Sequence, residues 1–250
     1  MSIEHIIKRH LGIKDAKKRD DKISEPLVSK DLVDAINEFL LRRNKKEFRK
    51  FDAFHPSYTS VCVRWWYLMF KGMEFARPFD ARTHRVFDHG NDMHERFCTY
   101  FKNMGILVDT ECPFSIDDPV PIRGRADAII DWPPDSGELR VVELKSISPE
   151  GFMMRKYYKK PKDDHLQQIN VYMKGIGIHK GFIIYEDKGT QSLLAFDVEF
   201  DEDIYRKKLK VWERAYKYIT DDRLPSRPYK RDSDHCKYCD IAEICWNMPE

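Results

Sequence analysis

The stretch IRGRADAIIDWPPDSGELRVVELKSI, residues 122–147, decides the architecture. Asp127 is followed by Ala128, Ile129 and Ile130, and Glu143 is preceded by Val141 and Val142. Both apolar runs read as β-strands, near 122–131 and 139–147. Between them Pro133, Pro134, Asp135, Ser136 and Gly137 spell a turn, so the two strands form an antiparallel hairpin. Glu143 and Lys145 are two apart and point to one face. The hairpin lets Asp127 approach Glu143 from the neighbouring strand. Two acids and a lysine at strand centres are costly to bury without partners. A divalent cation offsets that cost.

The surrounding chain fits an α/β arrangement. Further strands are expected near 106–115, 180–186 and 193–200. Helices are expected over 29–50, 57–73, 83–104, 163–175 and 201–219. Ser29 caps the first, whose apolar positions are Leu32, Val33, Ile36, Phe39 and Leu40. Gly72, Gly105 and Gly175 end the next three. Ile204, Leu209, Val211, Trp212 and Tyr216 form the apolar stripe of the last. The helix between the third and fourth strands makes that strand pair parallel, so the sheet is mixed.

Composition narrows the class. The 250 residues include 44 Lys and Arg against 42 Asp and Glu, so any attraction to a polyanion is local. Apolar residues make up 42%, enough for a core. No signal peptide or membrane span is visible, and the expected location is the cytoplasm.

The acids and the lysine suggest metal-assisted hydrolysis. Asp127 and Glu143 suit Mg²⁺ or Mn²⁺, and the Leu144 backbone carbonyl can add a ligand. Such an ion polarises a phosphate and acidifies a water, while Lys145 orients that water or neutralises developing charge. The bland alternative is a structural ion pair. His94 borders the apolar face of its helix, either as a further ligand or as a structural histidine. Gln168 and Tyr172 are four apart and share a helix face.

Taken in order, Gly90/His94, Gly124/Asp127, Glu143-x-Lys145 and Gln168-x-x-x-Tyr172 resemble the RecB-like branch of the PD-(D/E)XK nuclease superfamily. Ala126 stands where the motif has proline. The resemblance implies a restriction-endonuclease-like mixed central sheet flanked by helices. It implies metal ligation by His94, Asp127 and Glu143, catalysis by Lys145, and DNA contact by Gln168 and Tyr172. One domain is expected over 29–250 after a loosely ordered segment, 1–28. It comprises a helical part (29–105), a nuclease core (106–220) and a Cys-rich tail (221–250). The expected activity is exonucleolytic cutting of single-stranded DNA or DNA ends, without a covalent enzyme intermediate. The alternative is a DNA-binding or complex-assembly module that does not cut. No P-loop motif occurs, so a stand-alone nuclease is expected.

The tail carries Cys236, Cys239 and Cys245, spaced C-x2-C-x5-C. Three close cysteines suit a metal centre that takes a fourth from Cys62, Cys98 or Cys112. Zinc and an iron–sulfur cluster are both open on spacing alone. The iron–sulfur subgroup of RecB-like nucleases, which includes the CRISPR-associated exonucleases, has one early cysteine and three late ones. That resemblance implies a [4Fe–4S] cluster on Cys62, Cys236, Cys239 and Cys245. Cys98, on a helix beside Phe97 and Phe101, and Cys112, in a strand, read as buried fillers. Partners in recombination, replication or CRISPR adaptation are compatible with it.

Two basic segments are candidates for DNA contact. Arg42, Arg43, Lys45, Lys46, Arg49 and Lys50 read either as a solvated helix end or as a phosphate-contacting arm. Arg155, Lys156, Tyr157, Tyr158, Lys159, Lys160 and Lys162 read as an acid-free basic loop suited to a single strand, or as ordinary solvated charge. Arg123 and Arg125 flank the metal strand. Trp65 and Trp66 read as core rather than as stacking platforms.

Overall fold

The computed structural model describes residues 29–44, 50–72 and 79–248. The chain divides between Ile36 and Asn37, and the site lies in the unit that begins at Asn37. Helix α1 (Lys30–Leu41) crosses that boundary. It stops well short of residue 50, and Leu32, Val33, Ile36 and Phe39 are exposed. Lys45, Lys46, Arg49 and the segment 1–28 lie outside the described residues.

Strands β1 (Leu107–Ile116), β2 (Ile122–Asp131), β3 (Leu139–Ile147), β4 (Lys180–Asp187) and β5 (Leu193–Glu199) form one sheet in that spatial order. Neighbours are antiparallel except β3 and β4, which run parallel. The Pro133–Gly137 turn closes the β2–β3 hairpin, with Gly137 at φ 71°. A parallel pair needs a crossover. Here it carries two helices, α4 (Pro149–Tyr158) and α5 (Asp163–Ile176).

Helix α4 corrects the expected loop. Ser148 accepts the Gly151 N–H, Pro149 occupies the first turn, and Lys159 ends the helix in a left-handed conformation. Serine followed by proline is a helix start. Helix α5 also differs in detail. Gly175 is inside it, and Gly177, at φ 81°, caps it. Glycine is needed at 175 because a Cβ there would stand 2.1 Å from the Phe114 ring. A Cβ at Gly124 would stand 2.4 Å from the same ring. Phe114 is thus clamped between a strand glycine and a helix glycine.

The expected helix over 57–73 breaks into a single 3-10 turn, Pro56–Tyr58, and α2 (Val63–Phe70), capped by Cys62. Helix α3 (Ala81–Asn103) starts where the Asp80 carboxylate accepts the Thr83 N–H at 2.6 Å. Helix α6 (Glu202–Thr220) buries Tyr205, Lys208, Trp212 and Ala215. Ile204, Leu209, Val211 and Tyr216 flank that face, half-buried. Two short helices, α7 (Asp234–Lys237) and α8 (Ala242–Asn247), follow.

Helices cover both faces of the sheet. Met93, Phe97 and Phe101 of α3 pack on Ala128, Ile130, Val142 and Leu144. On the other face Ile169 and Met173 of α5 share a core with Val141, Ile183 and Tyr185. That core extends to Trp66 and Trp212, whose rings meet the Phe54 ring at centroid distances of 4.8 and 5.6 Å. Trp65 and Trp66 are core, each such burial contributing about 1.5–3 kcal/mol. The result is the restriction-endonuclease-like arrangement, a five-strand mixed sheet between helices. Among the described residues no helix is long and apolar enough to cross a membrane.

Candidate active site and cysteine cavity

The β2–β3 ladder runs from Asp131 opposite Leu139 to Ala128 opposite Val142. Asp127 and Glu143 are the next residues along the two strands. Asp127 Oδ2 accepts the Leu144 N–H at 2.7 Å. His94, midway along α3, brings Nδ1 to 3.4 Å from Asp127 Oδ1. The Lys145 ammonium is ion-paired with Glu143. His94, Asp127, Glu143, Lys145 and the Leu144 backbone therefore meet at one point in the fold.

Burial dominates the electrostatics. It raises the Asp127 carboxyl to about 6, against the pull of Lys145 and the Leu144 N–H. It raises Glu143 to about 7, with Asp127 adding to the rise and Lys145 opposing it. Burial lowers the His94 imidazole, partly offset by Glu143. Burial also works against charge on Lys145, but the two carboxylates outweigh it and its pKa is raised. Two acids held this close cannot both ionise cheaply without a cation.

The donor set fits a hard divalent ion. Both oxygens of Glu143 are buried and without a hydrogen-bond partner, the Lys145 ion pair aside. Two carboxylates, an imidazole and a backbone carbonyl are ligands such an ion accepts. Among the described residues no three His, Cys, Asp or Glu side chains already stand together as a ligand group. Ligation would therefore draw these side chains inward and release Lys145 from Glu143.

The other expected DNA contacts fall in different surroundings. Gln168 and Tyr172 are both buried, and Gln168 Nε2 donates to Tyr172 Oη at 2.7 Å. Tyr172 lies near enough to Glu143 and Asp127 for both to raise its pKa, after burial. The pair thus backs the acids instead of standing out on a surface. Arg125 is exposed and ion-paired with Glu111. Arg123 pairs with Asp117 at 2.6 Å. Arg155, Lys156, Tyr157 and Tyr158 lie on α4, where Tyr157 is 80% exposed with its ring 5.1 Å from that of Tyr158. The segment just beyond is not free of acid: Lys160 and Lys162 sit 3.8 and 3.6 Å from Asp163 and Asp164.

One feature of the site escaped the sequence reading. Tyr185 is opposite Lys145 in the β3–β4 register. Its hydroxyl accepts the Lys162 N–H at 3.1 Å and lies 2.8 Å from His165 Nδ1. Burial lowers His165 to about 4. The available signal was spacing, since His165 is three residues before Gln168 and shares its side of α5.

Cys62, Cys236, Cys239 and Cys245 line one cavity of about 470 Å³, together with Trp65 and Trp246. Cys62 Sγ accepts the Trp65 N–H at 3.4 Å. Burial raises the Cys62 thiol, with Cys245 and Cys236 adding to the rise. It pushes Cys239 up to about 12. The walls are tied across the chain. Trp65 Nε1 donates to Asp240 Oδ1 at 2.7 Å, and Arg227 Nη2 donates to the Cys245 carbonyl at 3.0 Å. Four thiols around one space are a donor set for a soft metal centre. Cys112 is buried in β1, whereas Cys98 is only half-buried, a departure from the expected filler.

Comparison with known proteins agrees with this geometry. Residues 63–246 match the model of the PD-(D/E)XK nuclease superfamily. The crystal structure of SSO0001 superposes with a TM-score of 0.53 at 20% identity, covering 88% of this chain and 96% of that one. An alkaline exonuclease, LHK-Exo from Laribacter hongkongensis, gives 0.49 at 10% identity, covering 76% and 93%. Its complex with dAMP gives 0.47 at 13%, covering 74% and 93%. No curated protein matches the chain significantly. With the superfamily model spanning the acids, the lysine and the three cysteines of the tail, the chain belongs to the PD-(D/E)XK nuclease superfamily.

Proposed function

We propose that the chain is a Mg²⁺- or Mn²⁺-dependent deoxyribonuclease that degrades single-stranded DNA or DNA ends. We further propose that Cys62, Cys236, Cys239 and Cys245 hold a [4Fe–4S] cluster. The observation that carries the first reading is the buried Glu143 carboxylate beside Asp127, ion-paired with the Lys145 ammonium.

His94, Asp127, Glu143 and the Leu144 carbonyl are the residues to hold the ion. When bound, it supplies Lewis acidity to the scissile phosphate and lowers the pKa of the attacking water. The Leu144 N–H orients Asp127, and His94 lies beside that carboxylate. Lys145, once free of Glu143, donates to the water or to a phosphate oxygen and balances charge developing there. Water attacks directly, and no side chain bonds to the substrate. Tyr157 and Tyr158 offer ring faces to unpaired bases, and Arg155 and Lys156 offer charge to the backbone. The cluster's role is structural, fastening α2 to the tail through one cavity.

The test is digestion of a labelled single strand by anaerobically purified protein, with Mg²⁺, with Mn²⁺ and with EDTA. Cutting is expected with either metal and not with EDTA, and Lys145→Ala lowers it by about 10²–10³-fold. Tight DNA binding without cutting, by protein holding its iron, would replace this reading with the non-cutting module.

A further inference from the structure

A second cavity adjoins the cysteine cavity and shares Ser60, Val61, Cys62, Pro228 and Tyr229 with it. Its volume is about 480 Å³, inside the roughly 300–1,000 Å³ typical of small-molecule sites. Lys207, Lys208 and Arg214 of α6, Gln167 of α5, Ser60 and Ser226 supply most of its polar lining. No aspartate or glutamate lines it among the described residues.

Lys208 is the telling member. It is 4% exposed, and its ammonium lies 5.1 Å from the Trp212 ring centroid. That ammonium donates to the Thr59 carbonyl at 2.5 Å. One carbonyl takes one of its three protons. Among the described residues it has no carboxylate within ion-pair distance. Burial alone pushes its pKa down to about 8. A cation buried without an anion is an unbalanced charge, costly unless something supplies the counter-charge. Lys207 and Arg214, on the same wall, also form no ion pair among the described residues. Two serine hydroxyls and an amide add neutral donors.

We propose that this cavity binds a phosphate group, its oxyanion held by Lys207, Lys208 and Arg214. Three cations with several short neutral donors match a tetrahedral, multiply charged oxyanion better than a lone carboxylate. The phosphate comes either from a DNA backbone or from a free mononucleotide. Both offer the same oxygens. The inference does not depend on metal-assisted cutting.

The experiment uses the full chain, purified without oxygen and kept in EDTA. Inorganic phosphate and dAMP are titrated at constant ionic strength against chloride, with thermal midpoint and isothermal heat as readouts. A labelled single strand is titrated in parallel by anisotropy over a range of salt. The exposed pair Lys207→Ala/Arg214→Ala tests the site without disturbing the core, and Lys208→Met tests the buried charge. Phosphate or dAMP is expected to raise the midpoint above the chloride control, and the double variant to lose about tenfold in affinity. If the strand is the source, the double variant also weakens strand binding and lowers its salt slope by about 1.4. If strand binding is untouched while dAMP binding falls, the source is a free nucleotide. Phosphate and dAMP acting no differently from chloride, with strand binding unaltered in the double variant, would overturn the proposal. Every readout is binding in EDTA, so failure here is distinct from failure to cut.

Discussion

Glu143 and Lys145 are ion-paired on one face of β3, and the carboxylate partner has no exposed surface. Removing the ammonium leaves a buried acid to find its charge balance elsewhere. Lys145→Ala is expected to lower cutting by about 10²–10³-fold, the cost of losing one charge-stabilising donor. In metal-free protein it also raises the Glu143 pKa further, because Lys145 now holds it down. Carbon-13 titration of the glutamate carboxyls reads this directly. An unchanged Glu143 titration would show that the pair does not exist in solution.

Stability of the metal-free protein depends on pH through the same acids. Asp127 and Glu143 rise from 3.8 and 4.5 to about 6 and 7 in the fold. Raised acids bind protons more tightly folded than unfolded. Their contribution is full below the unfolded values and is lost as pH climbs through the folded ones. The melting midpoint in EDTA should therefore fall by on the order of 5 °C between about pH 5 and 8. Asp127→Asn/Glu143→Gln flattens that fall, and Mg²⁺ raises the midpoint more at the alkaline end. A midpoint independent of pH in the wild type would contradict the buried pair.

The Phe114 clamp sets two propensities against each other. Gly175→Ala gains about 1 kcal/mol of helix propensity but drives a methyl to 2.1 Å from a packed ring. Overpacking of this kind costs about 1–3 kcal/mol, so a net loss is expected by urea denaturation. Gly124→Ala behaves alike, and Phe114→Leu restores part of either loss. Stabilisation by Gly175→Ala would mean that the ring has room to move.

The cysteine reading makes a prediction in colour and iron. Anaerobic protein should be brown and carry roughly four iron atoms per chain. Cys62→Ala or Cys239→Ala should abolish both, while Cys98→Ala and Cys112→Ala leave both intact. A colourless protein with stoichiometric zinc would replace the cluster with a zinc centre.

Much of this was legible in residues 122–147. The two apolar runs, the proline-rich turn and the E-x-K spacing state a hairpin, and every strand follows within a few residues of its expected place. What escaped was local or long-range. Helix α4 opens on Ser148-Pro149, a cap pair masked by the Lys and Tyr residues behind it, which read as loop. Gly175 reads as a terminator until Phe114, 61 residues earlier, is seen against it. Exposure of the Gln168 and Tyr172 side chains could not be judged from spacing, since both faces of α5 carry apolar neighbours. Lys208 looks like any lysine on an amphipathic helix, because nothing in a sequence shows that Thr59 comes to meet it.

The cysteine cavity has a consequence for the order of events during synthesis. Cys62 emerges from the ribosome long before Cys236, Cys239 and Cys245, and the whole sheet is made in between. Local hairpins and helices close early, whereas contacts across so long a loop close late. The Trp65 indole N–H must wait for Asp240 before it is answered. Until then α2 has an unfinished wall. Loading of the proposed cluster would therefore wait for a chain translated beyond residue 245, and a nascent chain stalled before residue 236 would display only Cys62 of the four.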